Sequence, residues 1–290
     1  MVGNILVSTL LRGSMYILMG MGLALVFGVM RISNFAHGDF YMIGAMIGYF
    51  AAYVLKLNPI LAILVSALGG FLIGAVVQRV FFAPLRKRSK KDWLLNTFLL
   101  TGGLSFVLQN AVQLIAGADY KGMPQLFDGS LAILGMNVSM DRIYAVLISL
   151  LAVGGFWLFM RKTRVGNAIW AVSEDETGAE LMGINLNFIH ILTFGLSCAL
   201  AAIAGAALIS INPAYPSMGQ NPLLKSWCVV ILVGMDNTAG TIIGGLLVAF
   251  IEVLAVTFLG QQWQDAICFI VMIIVLVVKP NGIFGKPMKV

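Results

Sequence analysis

Nine stretches of mostly apolar residues, at about 5–30, 36–55, 59–82, 94–116, 142–160, 188–211, 223–235, 240–259 and 264–278, alternate with short polar intervals along the chain. A helix needs about 20 mostly apolar residues, at 1.5 Å each, to cross a bilayer, and most of these stretches meet that length. The pattern predicts an all-α, polytopic transmembrane helical bundle of eight or nine spans, forming a single domain over residues 1–290. The seventh stretch is short and lies between Pro222 and the polar run Asp236-Asn237-Thr238. It is expected as a half-helix or re-entrant piece. Small residues recur four apart, as in Gly20/Ala24/Gly28, Gly44/Gly48, Gly70/Gly74, Ala201/Gly205 and Gly240/Gly244. In lipid such stripes let helix backbones approach and gain dispersion contacts.

Basic residues gather on alternate intervals. Arg86-Lys87-Arg88-Ser89-Lys90-Lys91 follows the third stretch, and Arg161-Lys162-Thr163-Arg164 opens the longest polar interval. Threading the stretches through a membrane puts Arg31, Arg79, Lys279, Lys286 and Lys289 on that same side. Excess Lys and Arg mark cytoplasmic loops, so this side and the C-terminus are expected to be cytoplasmic; nine crossings would leave the N-terminus outside. The other side receives Arg12, Lys56, Lys121, Arg142 and Lys225, and its loop at about 117–141 carries Asp119, Asp128 and Asp141. Arg12 and Lys225 are expected to extend their stems toward the outer interface. The start, Met1-Val2-Gly3-Asn4, lacks the cationic region of a signal peptide, so the first stretch is expected to be retained.

Composition strengthens the membrane reading: 60% of residues are hydrophobic and 10% charged, against roughly 25% charged in soluble domains. The net charge of +6 sits in the loops between spans, where it directs topology; no nucleic-acid partner is inferred from it. Cys198, Cys228 and Cys268 lie singly in apolar sequence, without metal-ligand spacing, and read as small packing residues. No cofactor or metal is expected.

The densest polar cluster near apolar sequence is Arg31-Ile32-Ser33-Asn34-Phe35-Ala36-His37-Gly38-Asp39-Phe40-Tyr41. If helical, it puts Asn34, His37 and Tyr41 on one face. Ionisable groups at membrane depth are costly and face protein or a water-filled cavity, so the segment reads either as lining a polar pathway or as a loop turn followed by a helix cap. Glu252 lies well inside a crossing and is expected to meet a donor on a neighbouring helix, with pathway involvement as the alternative. His190 reads as an interfacial packing residue.

The interval at 165–184 reads as helix, cap, short helix, stop. Ser173 with Glu176 three positions on forms a capping box, acidic residues fill the first turn, and Gly183 suits a left-handed stop. Leu181 and Ile184 share a face with Thr177. Such a helix can be a knob for another protein's socket or a connector resting on headgroups. The sequence contains no Gly-x-x-x-x-Gly-Lys-Ser/Thr phosphate loop, nucleophile elbow or His-Glu-x-x-His helix. Energy from nucleotide would therefore have to enter through a partner, and no enzymatic activity is expected.

Asn34-Phe35-Ala36-His37-Gly38-Asp39, preceded by Gly20-x-Gly22-Leu23-Ala24-Leu25-Val26-Phe27-Gly28-Val29, resembles the inner-membrane permeases of bacterial branched-chain amino acid ABC importers. The chain is most similar to the branch typified by the leucine, isoleucine and valine permease. Ala171-Val172-x-Glu174-Asp175-x-x-x-Ala179-x-Leu181-x-Gly183-Ile184 resembles that family's coupling segment, and the similarity extends to Gly234-Met235-x-Asn237-x-x-Gly240-Thr241-x-x-Gly244-Gly245. Trp170 and Gly178 depart from it, standing where relatives commonly have Arg and Ala.

The resemblance implies a permease subunit in the bacterial cytoplasmic membrane that passes branched-chain or similar apolar amino acids inward. Its implied partners are a second permease subunit, identical or different, two ATP-binding subunits and an extracytoplasmic solute-binding protein. Ala171, Ser173, Glu174, Asp175, Ala179, Glu180, Leu181, Gly183 and Ile184 would then couple to the ATPases, and Asn34, His37, Gly38, Asp39, Tyr41 and Glu252 are the candidates for the solute pathway. The alternative is a secondary transporter or channel for a small polar solute, coupled to protons through His37, Asp39 or Glu252.

Overall fold

The computed structural model describes residues 2–88, 92–123, 125, 127, 129–133, 136–235 and 237–285. Ser89, Lys90 and Lys91 of the first basic run, Asp128, Asp236, Lys286 and Lys289 lie outside the described residues. Twelve α-helices follow in order among those described: α1 (Val2–Met30), α2 (His37–Tyr49), α3 (Pro59–Val77), α4 (Ala83–Arg88), α5 (Trp93–Ala116), α6 (Met140–Lys162), α7 (Arg164–Glu174), α8 (Glu176–Leu181), α9 (Leu186–Ala207), α10 (Gln220–Val233), α11 (Gly240–Leu259) and α12 (Gln264–Val278). A π-turn, Phe50–Val54, extends α2, and another, Gln78–Phe82, joins α3 to α4. One small hairpin, β1 (Ser130–Ile133) with β2 (Met136–Ser139), decorates the loop before α6.

Seven of the described helical segments are long and apolar enough to cross a membrane. The second and seventh apolar stretches form shorter helices. The 14 residues of α10 cover about 21 Å, less than the ~30 Å hydrocarbon core, as its half-helix reading requires. Pro222 lies within its first turn, where a missing N–H costs little.

The interior consists of α1, α2, α9 and α10: α9 packs on α2 and α3, and α1 on α11, α9 and α10. Glycine makes these approaches possible. A side chain at Gly44 would start 2.2 Å from Ala202 Cα, and one at Gly205 2.0 Å from Tyr41 O. Around this centre, α3, α5, α6 and α12 turn Leu, Ile, Val and Phe outward, including Leu64, Leu72, Phe106, Leu151 and Ile274. That exposure is what a lipid-facing surface needs. Cys198, Cys228 and Cys268 are buried and unbridged, packed as small residues.

Candidate functional site: a buried polar segment, a charged cavity and an exposed helix

α1 ends where Arg31 turns into the left-handed region, φ 53°, and the chain then folds back beside the helix it has just left. Thr101 Oγ1 donates to Ser33 O at 3.2 Å, Gln109 Nε2 donates to Asp39 Oδ1 at 2.9 Å, and His37 Nε2 lies 3.0 Å from Met19 O. Met19 is about 16 Å back along α1 from Met30, and Gln109 about 12 Å along α5 from Thr101. Residues 31–36 therefore climb into the bundle as non-helical backbone, and α2 begins near mid-depth. Asn34 precedes the helix instead of sharing a face with His37 and Tyr41; its Oδ1 accepts from Ala36 N at 3.1 Å. Asn34 and His37 are fully buried and Asp39 nearly so, while Asn34 Nδ2 and Asp39 Oδ2 have no hydrogen-bond partner among the described residues.

Gly38 and Gly219 meet backbone to backbone. A Cβ on Gly38 would lie 2.2 Å from Gly219 O, and one on Gly219 2.0 Å from Gly38 O. The starts of α2 and α10 thus close on each other inside the bundle.

Beyond this contact, at the end opposite Arg31, Arg86 and Arg161, opens a cavity of about 510 Å³ whose lining includes Arg12, Tyr16, Tyr41, Arg142, Asn212 and Tyr215. Tyr41 is 1% exposed and its hydroxyl meets the Asn212 side chain, so α2 carries a floor residue of the cavity. Glu252, fully buried, accepts from Arg12 Nη1 and, at 2.6 Å, from the Tyr16 hydroxyl. Lys225 Nζ stands 3.7 Å from Glu252 Oε2 and 2.7 Å from Asp265 Oδ1. Burying a carboxylate requires such partners, and Glu252 holds Arg12 within the bundle instead of at the interface where the sequence suggested it. Lys225 reaches away from Glu252 to the exposed Asp265 in the first turn of α12. Tyr215 also lines the cavity and packs on Tyr120 at 4.8 Å between ring centroids.

At the basic end, α7 and α8 lie across the bundle. Thr163 caps α7 by accepting from Gly166 N at 2.9 Å, and Ile169 and Val172 bury its apolar side. The helix break falls at Asp175, whose side chain accepts from Thr177 N at 3.0 Å. Ser173 is therefore not the cap: it lies inside α7, its hydroxyl donating to Trp170 O at 2.7 Å. The cap also explains the glycine at 178, because a Cβ there would lie 2.5 Å from Asp175 Oδ2. Gly183 provides the left-handed stop at φ 85°.

Ala171, Glu174, Asp175, Glu180 and Gly183 are exposed, Ser173 is half-buried, and Ala179 is buried beneath the turn. Leu181 and Met182 are 84% and 85% exposed, whereas Ile184 packs against the core; the expected shared edge with Leu181 is not formed. Glu176 accepts from Arg86 Nη1, with His190 Nε2 3.5 Å from its Oε1. His190 is buried in this contact.

Residues 5–276 match the family model described as "Branched-chain amino acid transport system / permease component". The chain belongs to that family. It is 32% identical to the high-affinity branched-chain amino acid transport system permease protein BraD of Pseudomonas aeruginosa, over 97% of this chain and 95% of BraD. With the corresponding permease protein LivH of Escherichia coli it shares 31% identity, over 95% of this chain and 92% of LivH. The fold is also that of a chain in the structure of PsaBC from Streptococcus pneumoniae in complex with Fab, with TM-score 0.52 and 12% identity, covering 94% of this chain and 91% of that one.

Within this permease the structure joins Tyr41 and Glu252 to one charged cavity and places Asn34, His37, Gly38 and Asp39 in the buried segment beneath it. Sequence reasoning missed two groupings: Arg12 and Tyr16 with Glu252 and Lys225, and Arg86 with Glu176 and His190. The first left a trace, since Arg12 and Tyr16 stand four apart, on one face of a mostly apolar helix.

Proposed function

We propose that this chain is the membrane-spanning permease subunit of an ABC importer for branched-chain or similar apolar amino acids in a bacterial cytoplasmic membrane. It would pair with a second permease subunit and work with two ATP-binding subunits and an extracytoplasmic solute-binding protein. The basic end, with α8 and the C-terminus, faces the cytoplasm in this reading, in keeping with the positive-inside rule.

The observation that carries the proposal is the connection from the exposed α7–α8 turn to the buried segment. Glu176 holds Arg86, the Arg86 guanidinium sits 5.1 Å from the centroid of the Trp93 ring, and Trp93 Nε1 donates at 3.1 Å to Met30 O, where residues 31–36 leave α1. An ATPase gripping Glu174, Asp175, Glu180 and Leu181 would push on this chain of contacts. ATP is needed because a solute alone shifts the permease only by its difference in affinity for two states. Asn34, His37, Asp39 and Tyr41 would line the route that opens when Gly38 and Gly219 part.

Substituting Trp for Glu174 or Leu for Gly183 is expected to abolish ATP-driven leucine uptake while the permease still inserts. Normal uptake and normal ATPase co-purification in both variants would refute the coupling assignment. The proton-coupled reading has less support, because His37 and Glu252 are both engaged in contacts that hold helices together. Leucine accumulation by the purified chain alone, in liposomes under a proton gradient, would replace the importer reading with that one.

A further inference from the structure

The cavity is charged in an unbalanced way. Arg12 and Lys225 are matched by Glu252 and Asp265 through the contacts already described. Arg142, at the start of α6, also lines the cavity, is exposed, and has no ion pair among the described residues. None of the described lining residues is acidic. Among the described residues the concave space thus carries one positive charge without a counter-charge, and a second guanidinium, Arg12, only one of whose five N–H donors is taken by Glu252.

The rest of the lining is divided. Leu11, Met15, Leu208 and Met218 offer apolar surface, while Asn212 and Asn221 bring amide groups that accept as well as donate. The volume of about 510 Å³ falls within the roughly 300–1,000 Å³ of small-molecule sites. Guanidinium groups match the planar geometry of a carboxylate better than any other side chain.

We propose that this cavity is an acceptor seat for the carboxylate of the transported amino acid, held between Arg12 and Arg142 with the apolar side chain against Leu11, Met15 and Met218. The proposal rests on the importer reading for the identity of the solute and on the cavity for its chemistry. The seat is weak by construction: Glu252 already shares Arg12, and tight binding would slow onward release. Arg142 therefore supplies the discriminating charge, and its removal disturbs none of the buried ion pairs.

Leucine and leucinamide, which differ in the carboxylate, are the probes. Binding of each is measured by ligand-observed NMR to the assembled permease–ATPase complex in nanodiscs, without nucleotide or binding protein. Leucine is expected to bind saturably, and leucinamide at least about tenfold more weakly. Arg142→Gln is expected to lower leucine affinity about tenfold, to the leucinamide level, and Arg142→Lys to recover part of it.

Equal binding of the two probes, or an Arg142→Gln complex that binds leucine like the parent, overturns the seat. ATP-driven uptake of labelled leucine by the complete parent importer is measured in parallel. Normal uptake with equal probe binding removes the seat and leaves the importer. Carboxylate-selective, Arg142-dependent binding without ATP-driven uptake keeps the seat and removes the branched-chain importer.

Discussion

Glu252 contacts Arg12, Tyr16 and Lys225 from inside the bundle, and taking away its charge leaves two cations to be accommodated with less compensation. Breaking a buried pair by removing one partner typically costs about 3–5 kcal/mol. Arg12 keeps a path to the cavity and Lys225 keeps Asp265, so Glu252→Gln is expected at the lower end, about 3 kcal/mol, read as a fall in the thermal unfolding midpoint of the purified permease. The sequence already marked Glu252 as needing a donor, because an apolar helix cannot leave a carboxylate bare. Which donor it meets depends on three helices converging from distant parts of the chain, and local spacing carries no such information. The same holds for Glu176, whose apparent role in a capping box hid its contact with Arg86.

Helix pairing follows the small residues, and it is steeply position-dependent. Gly44→Ala would put a methyl group into the backbone of Ala202, forcing α2 and α9 apart at a cost of about 1–3 kcal/mol. Gly103 has open space where a side chain would go, so Gly103→Ala is expected to be neutral or to stabilise by up to about 1 kcal/mol. Membrane-inserted yield and melting of the two variants, side by side, test the contrast. The four-residue spacing of Gly44/Gly48 was legible in the sequence; that it would face Ala202 and Ala206 of α9 was not, since period alone does not choose a partner. At the α7–α8 break, Asp175→Ala should remove about 1 kcal/mol of capping and Ser173→Ala almost none. Faster amide hydrogen exchange over residues 176–181 in the first variant alone is the expected signature.

For the whole molecule, the apolar stretches told the fold class directly because each crossing needs a length that little else in a sequence imitates. The mid-depth start of α2 escaped the same reasoning. Residues 31–36 look like an interfacial loop, and only the bonds that Ser33 and the α2 residues His37 and Asp39 make to α5 and α1 show how far the segment penetrates. Sidedness can be tested on intact cells, where native thiols give little background because all three cysteines are buried. Leu181→Cys should react with a membrane-impermeant maleimide only after the cells are opened, and Tyr120→Cys, at the other end and 70% exposed in the parent, without opening. The reverse pattern would invert the assignment of the coupling helix.

The tail adds a consequence of its own. Ile283 N and Phe284 N donate to Leu232 O and Val233 O at 2.8 and 3.0 Å, tethering the far end of α10, while its near end abuts α2 through Gly38 and Gly219. A short rod clamped at one tip and keyed into a neighbour at the other has little slack. Clipping the chain after Val278 would unclamp it, and the interlock at mid-depth would then loosen although no atom near it had been changed.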